Sequence, residues 1–367
     1  MSASYAKQGI REAWNNGYQW GREAGRRIGS CQTVLAELPP KPGFFCDKRV
    51  LFIKQGFEAI DTGIERALAG AVRELIVSGP DRILEAASGS MPDLVLVLNG
   101  LHVFPKDHLA QIDQIRQLGI MTAIWFADDP YFMDLTSTLV AHYDYVFTHE
   151  RNAAAYYVSL GCRNVHHLPL AAPEHIFMPQ PVSPEYLSDV CFIGNAFPNR
   201  IDFFNQLIPS LPGIKIVLIG ALWDRLKHYK RLRSGIRLGW SPMEEAVNYY
   251  NGARIVLNLH REAVDPVYSK NSAGMRGLSI NPRTYEISAC GAFQMTDIRE
   301  DLPNLYVPGV EIETFQTPAE CAAKIIYYLN HEESRRSVAV KGLWRTRMEH
   351  TFADRIGRLL GPIFTSI

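Results

Sequence analysis

Short runs of consecutive apolar residues recur along this chain, each closed by a small or polar turn and followed by a stretch of helical period. Residues 50–53 stop at Gln55-Gly56, 93–98 at Asn99-Gly100, 121–126 at Ala127-Asp128-Asp129-Pro130, and 143–147 at Thr148-His149-Glu150. Residues 166–169 form a shorter fifth run. Helical period is read over 61–78, 105–118 and 152–160, the last stopping at Gly161. Apolar strands without polar alternation, separated by helices, predict a parallel sheet covered on both faces.

The proline-rich stretch 171–186 interrupts this pattern and reads as an interdomain hinge. The pattern then restarts. Strands are expected at 189–193 (ending at Gly194-Asn195), 215–219 (ending at Gly220), 254–260, 292–295 and about 305–307. Helices are expected at 201–208, 243–251, 318–330 and about 345–360. Two such halves leave a cleft at the carboxyl ends of their strands, where open α/β sheets bind ligands. The expected division is a helical arm and linker over 1–47, one Rossmann-like domain over 48–176, a second over 187–344, and a C-terminal helix over 345–367 crossing back to the first.

The arm carries an unusual seam. Gly9, Ala13, Gly17, Gly21, Gly25 and Gly29 recur every four residues. Each glycine weakens a helix by about 1 kcal/mol against alanine, and small residues at this spacing admit a second helix closely. That helix could belong to the same chain or to a dimer mate; a frayed terminal arm is the plain alternative. The charges of Arg11, Glu12, Arg22, Glu23, Arg26 and Arg27 exclude a membrane span for this helix.

Composition narrows the field further. At 367 residues, 47% hydrophobic and 21% charged, the chain is globular and suits two domains. Lysine plus arginine equals aspartate plus glutamate at 38 each, which gives no support to a nucleic-acid partner. No apolar run reaches the roughly 18 residues that span a bilayer, and the first residues lack the apolar segment of a signal peptide. Six scattered cysteines without Cys-x-x-Cys fit a reduced, cytoplasmic protein. There is no Gly-x-Gly-x-x-Gly after a strand, no P-loop and no Gly-x-Ser-x-Gly elbow. Asp128-Asp129-Pro130 is not an Asp-x-Asp metal motif, and no carboxylate–histidine cluster has metal-site spacing.

The most informative stretch is 281–297, Asn-Pro-Arg-Thr-Tyr-Glu-Ile-Ser-Ala-Cys-Gly-Ala-Phe-Gln-Met-Thr-Asp. Asn281 is a good N-cap, Pro282 fits the first helical position, and Gly291 suits a left-handed stop. The amino end of such a helix offers unpaired N–H groups and a partial positive charge, which suits a phosphate. Arg283 adds a cation on the first turn, and Glu286, a turn later, can accept hydrogen bonds from sugar hydroxyls.

These residues carry a resemblance. Ser241-x-x-Glu244-Glu-Ala-x-x-Tyr249-Tyr250, Ala253-x-Ile-x-Leu-Asn258-Leu-His260-Arg261, Arg283-x-Tyr-Glu286-x-x-Ala-Cys-Gly291-x-Phe-x-x-Thr-Asp297 and Gly309-x-Glu311 resemble the CgeB-like glycosyltransferases, named for a spore maturation protein. The likeness covers most of 48–355. It implies an α/β fold of GT-B architecture, two Rossmann-like domains with parallel sheets facing a central cleft. It also implies metal-independent transfer of a sugar from a nucleotide diphosphate, UDP being favoured, to a glycan or protein acceptor, with no separate cofactor. Glu286 then matches the carboxylate that binds the donor ribose, and Arg283 a position near its phosphates. The second acidic residue that many retaining GT-B enzymes carry eight positions earlier is here Leu278, so the stereochemistry stays open.

On that reading the phosphate cradle comprises Asn281, Arg283 and Thr284, with Gly194, Asn195 and Arg200 facing them, while Asn258, His260 and Arg261 line the cleft. The acceptor base would come from the amino-terminal half: Asp128 leads, with His149 behind it. Two neighbouring carboxylates on an extended segment point apart, so one of Asp128 and Asp129 is functional, and Pro130 equally fits Asp129 as a helix N-cap. His260 is a further catalytic candidate beside the cradle. The competing functions are a nucleotide-sugar epimerase and a non-catalytic sugar-nucleotide-binding protein of spore or surface assembly.

Overall fold

The computed structural model describes residues 2–364, with the side chains of 11, 14, 15 and 17–364. After a long helix α1 (Ser2–Glu37), the first lobe runs β1 (Cys46–Ile53), α2 (Glu58–Ala71), β2 (Val72–Ser78), α3 (Ile83–Ser90), β3 (Leu94–Leu98), α4 (His108–Gln117), β4 (Met121–Phe126), α5 (Met133–Leu139), β5 (Tyr145–Thr148), α6 (Arg151–Ser159) and β6 (Val165–His167). The second runs β7 (Ser188–Ile193), α7 (Pro198–Leu207), β8 (Ile216–Gly220), α8 (Tyr229–Leu232), β9 (Ile236–Leu238), α9 (Met243–Gly252), β10 (Ala253–Asn258), α10 (Pro282–Ala289), β11 (Gln294–Asp297), β12 (Glu313–Phe315) and α11 (Pro318–Asn330). Helices α12 (Glu332–Glu349) and α13 (Phe352–Phe364) follow.

The first sheet has the order β2-β1-β3-β4-β5-β6 and the second β12-β11-β10-β7-β8-β9, with every pairing parallel. All five residues of β3 are buried, as are all five of β8, which is why these strands read as unbroken apolar runs. The fold is an α/β protein of two such sheets.

Several elements depart from the sequence pattern. The stretch 61–78 divides, because α2 ends at Ala71 and β2 starts at Val72 with no turn between them. β2 is an edge strand with Arg73 and Glu74 exposed, so its charged pair imitates a helix surface. The strand expected near 305–307 is absent: Leu305 and Tyr306 donate their N–H groups back to Leu302 O in a tight turn, and the edge strand is β12. The single helix expected over 345–360 is two, broken at His350-Thr351. There His350 O accepts the Ala172 N–H (3.0 Å) and Thr351 pairs with Ala172. After the break α13 packs Phe352, Ile356, Leu359, Leu360 and Ile363 into the core of the first lobe. The buried Arg355 guanidinium fastens this crossing by donating to Pro169 O (2.9 Å) and Glu349 O (2.8 Å).

Helix α1 lies against the second lobe, and the glycine seam is not its packing face. A Cβ built at Gly17, Gly21, Gly25 or Gly29 would meet nothing within 4 Å; Gly9 and Ala13 lie outside the described side chains. The docked face is polar and aromatic instead. The Arg254 guanidinium sits 3.8 Å from the centre of the Trp20 ring, and Glu23 pairs with Arg254 (3.1 Å) and Arg335 (2.7 Å). Arg27 donates to Cys290 O, Gly291 O and both oxygens of Asn251 at 2.9–3.1 Å. These contacts exclude a frayed arm from Trp20 onward.

Candidate functional site

Each sheet reverses its winding direction once, between β1 and β3 in the first lobe and between β7 and β10 in the second. Strand ends at such switch points leave a crevice that ligands use. Both crevices open on the same cleft. A cavity of about 260 Å³ is lined from the first lobe by the start of α2 (Phe57 to Ile60) and from the second by Gly194, Asn195, Gly220, Trp240, Tyr250, Arg283 and Glu286.

The turn after β7 needs glycine on both sides. Gly220 has φ +142°, and a Cβ there would stand 2.3 Å from Gly194 O, so only glycine lets the ends of β7 and β8 approach this closely. Asn195 Oδ1 accepts the Ala221 N–H (3.0 Å) and joins the two turns. Arg200 does not face the cavity as a free cation. Its Nε donates to Leu259 O (2.9 Å) and its Nη1 to Asn195 O (2.8 Å), while the guanidinium lies over the Phe192 and Phe197 rings. It braces the turn from behind.

At the mouth of α10, Asn281 caps the helix by accepting the Thr284 N–H (3.2 Å), and Pro282 has no N–H. The opening therefore offers fewer unpaired donors than the bare pattern implies, with the Arg283 N–H left without a partner among the described residues. The Arg283 side chain makes no hydrogen bond or ion pair among those residues and lines the cavity. Glu286 lines it too. Burial pushes its carboxyl up to about 7, against the opposing attraction of Arg283.

Asn258 and Thr284 belong to the support of this mouth. Asn258 Nδ2 donates to Asn281 Oδ1 (3.0 Å), Thr284 Oγ1 (3.0 Å) and Gln294 Oε1 (3.2 Å), and both side chains are fully buried. His260 is held at both ring nitrogens. Nδ1–H donates to Asp297 Oδ1 (2.6 Å) and Nε2 accepts the Asn281 N–H (3.0 Å). Burial disfavours the charged ring, and with both nitrogens engaged none remains to take a substrate proton, so His260 is a spacer between β11 and α10. Burial opposes the Asp297 charge, but His260 and then Arg299 hold that carboxyl down to about 2.

Beside the main cavity a chamber of about 40 Å³ lies between the lobes, lined by Tyr131, His149, His260, Arg261, Asn281 and Arg299. Arg261 crosses the lobe boundary, its guanidinium 4.5 Å from the centres of both the Tyr131 and Phe197 rings, and it donates to Tyr268 O. His149 is buried. Its Nε2–H donates to Asp129 O (2.5 Å), and burial pulls its pKa down to about 4, too low for efficient proton abstraction near neutrality.

The two aspartates of the first lobe separate as strand geometry requires. Asp129 points into the core, where Thr148 Oγ1 and Tyr157 OH donate to its Oδ2 at 2.8 Å each. It is not an N-cap, since α5 begins at Met133 after Phe132. Asp128 points to the cleft rim, and its Oδ2 accepts from Asn99 Nδ2 and from His102 Nε2, both at 2.9 Å. His102 was not among the candidates read from sequence. Its only signal there was position, four residues after a strand end at the switch point. The first-lobe wall of the cavity, Phe57 to Ile60, was missed likewise, although β1 ends just before it.

Comparison with known proteins agrees with this geometry. The family described as glycosyl transferase-like matches residues 200–361, which include Gly220, Trp240, Tyr250, Arg283 and Glu286 of the cavity lining. Spore protein CgeB of Bacillus subtilis (strain 168) is 29% identical over 320 residues, spanning 85% of this chain and 97% of that protein. Two solved structures share the fold at 12% identity, each covering 87% of this chain and 100% of its own. Sucrose-phosphate synthase from Thermosynechococcus elongatus has a TM-score of 0.59, and Anabaena HepE in complex with UDP and glucose has 0.58. Among the described residues no helix is long and apolar enough to cross a membrane. With two parallel sheets and one shared cleft, the chain has the GT-B fold of these structures, carries the glycosyl transferase-like match in its second lobe, and is similar to spore protein CgeB over most of its length.

Proposed function

We propose that the cavity at the two switch points holds a nucleotide-diphosphate sugar, with UDP the favoured nucleotide, and that the enzyme passes the sugar to a hydroxyl of a glycan or protein. The carrying observation is that Arg283 and Glu286, one turn apart on α10, both line the cavity and neither side chain hydrogen-bonds to another described residue. Arg283 and the amino end of α10 would meet the diphosphate, and the Glu286 carboxylate would accept from the ribose hydroxyls. Charge grows on the leaving phosphate as the bond to the sugar breaks, so a fixed cation there stabilises the transition state beyond the ground state. On this reading protein cations do the work of a metal ion.

The test is a melting-temperature screen with UDP, GDP, dTDP and CMP compounds, since a ligand that binds only the folded state raises the melting point. Arg283→Ala, assayed in EDTA with the best donor, is expected to lose roughly 10²–10³-fold in turnover while melting like wild type. Undiminished turnover in Arg283→Ala, or abolition of wild-type turnover by EDTA, refutes the assignment. Donor converted to its epimer without an acceptor, seen by NMR, would favour the epimerase. Donor bound but never consumed would favour a non-catalytic binding protein. We also infer a cytoplasmic site of action, because all six cysteines are unpaired; recovery of the protein outside the cytoplasm on fractionation refutes it. The open glycine face of α1 is offered to a second copy of the chain. Light scattering that finds the same mass for wild type and for a Gly21→Leu/Gly25→Leu variant excludes it as a dimer seam.

A further inference from the structure

The cleft rim of the first lobe carries a histidine–carboxylate pair that the donor site does not use. His102 Nε2 lies 2.9 Å from Asp128 Oδ2, so Nε2–H donates to the carboxylate and Nδ1 carries the lone pair. Nδ1 meets no partner among the described residues, and the ring is 38% exposed. Everything around the pair fixes its geometry. Asn99 donates its Nδ2 to the same Asp128 oxygen (2.9 Å), while its Oδ1 accepts the N–H groups of Ala127 and Asp128 (3.1 Å each). The His102 ring packs edge-on to Phe132 at 4.8 Å. Gln55 grips the loop from below, donating Nε2–H to Leu101 O (2.8 Å) and accepting the Leu101 N–H (3.3 Å).

Two further observations tie the pair to chemistry. Asn99 and His102 both hold left-handed φ, +62° and +60°, a region that side chains other than glycine avoid and that concentrates at working sites. The loop is also joined to both spaces through the residues that hold it. Gln55, which holds it, is followed after Gly56 by Phe57, which lines the donor cavity. On its other side Phe132 lies under the Arg261 guanidinium, which lines the interlobe chamber. Pro282 borders both spaces, and Ala127 and Pro130, which flank Asp128-Asp129 in the chain, line the chamber.

We propose that His102 is the general base of the transfer and that Asp128 is its positioning carboxylate. This rests on the donor reading above. His102 Nδ1 takes the proton of the acceptor hydroxyl, and the freed oxygen pair bonds to the anomeric carbon. The bond from that carbon to the phosphate oxygen breaks, and its electron pair leaves with the nucleoside diphosphate. Asp128 keeps the imidazole in the Nδ1-basic tautomer and stabilises the imidazolium that forms. A base-assisted displacement of this kind inverts the anomeric carbon, in keeping with Leu278 at the place where retaining relatives carry an acid.

Water can serve as acceptor in the test, so the natural acceptor is not needed. Wild type, His102→Ala, His102→Asn and Asp128→Asn are compared with UDP-glucose, or with whichever nucleotide sugar gives the largest shift in the melting screen. Asparagine tolerates the left-handed backbone, so His102→Asn guards against misfolding. Both His102 variants are expected to bind the donor as wild type does and to hydrolyse it about 10²–10⁴-fold more slowly. Azide needs no deprotonation and should restore transfer in the His102 variants. Asp128→Asn should fall between wild type and His102→Ala, with unchanged donor affinity. The sugar released by wild type should have the opposite anomeric configuration to the donor. Wild-type hydrolysis by His102→Asn, no rescue by azide, a retained anomer, or a wild type that binds donor without ever consuming it would each overturn the base. If no nucleotide sugar binds wild type, the donor reading fails and the base falls with it.

Discussion

At the residue scale, Glu286 has the most readable consequence. Its folded pKa, about 7, lies above the ordinary glutamate value near 4.5 because burial penalises the charge. A raised carboxyl costs stability once it must ionise. The ligand-free protein should therefore lose on the order of 3 kcal/mol as pH rises from about 4.5 to 7, and Glu286→Gln should lack that component. In the proposed donor site binding would run the other way, because ribose hydroxyls need an acceptor. A group of pKa 7 is about one-tenth charged at pH 6 and about nine-tenths charged at pH 8, so the Kd of UDP-glucose should fall about 10-fold over that range. Calorimetry at several pH values checks this, and a flat profile in wild type removes Glu286 from the donor site. Arg283 and Glu286 work as a pair here, since the cation lowers the carboxyl that burial raises. Arg200, Asn258 and Thr284 show the opposite case. Their types suit substrate binding, yet every bond they make goes to the protein.

At the element scale, α10 is gripped at both ends. Its amino end is set by Asn281, Asn258 and His260. Its carboxyl end is capped by a residue more than 250 positions away. Arg27 on α1 reaches Cys290 O and Gly291 O, and a cation at that end also favours the helix dipole. Cys31 fills the space beside Gly291, its Sγ standing 2.4 Å from where a Cβ would be, so the left-handed stop (φ +58°) has to be glycine. Arg27→Met should strand several part-buried carbonyls and cost about 2–4 kcal/mol, read as a shift in the urea midpoint at unchanged m. A midpoint within error of wild type would mean that α1 is not part of the second lobe's stability.

At the scale of the whole molecule, the loop from 261 to 281 belongs to the second lobe by sequence but is fastened to the first. The Glu150 carboxylate accepts the N–H groups of Leu278 (3.1 Å to each oxygen) and Ser279 (3.1 Å). Asp134 accepts from Ser272 N and Oγ at 2.7–3.1 Å, and Lys270 N donates to Tyr131 O (2.7 Å). Together with α13, these contacts hold the lobes around the cavity. Glu150→Ala leaves buried N–H groups without an acceptor, at a cost of about 1–3 kcal/mol. The Asp134→Ala/Glu150→Ala double variant should open the cleft, seen as a larger radius of gyration in small-angle scattering. An unchanged radius would place the hold in α13 alone.

What the chain's own order determined was everything that depends on local period. Apolar runs between helical stretches specify buried parallel strands, and Asn281-Pro282 with Gly291 specifies the ends of α10, because caps and periodicity act within a few residues. Edge strands β2 and β9 escaped that logic: an edge needs little apolar surface, so its residues follow no strong pattern. Only the tertiary structure decided which polar side chains face the cavity and which the protein interior. Arg200 and His260 turned inward to pair buried backbone groups, and Asn258 and Thr284 to pair each other and Asn281, while His102 reached Asp128 across two strand ends. A hydrogen bond between residues 26 positions apart depends on how the sheet brings β3 beside β4, and no spacing rule along the chain contains that.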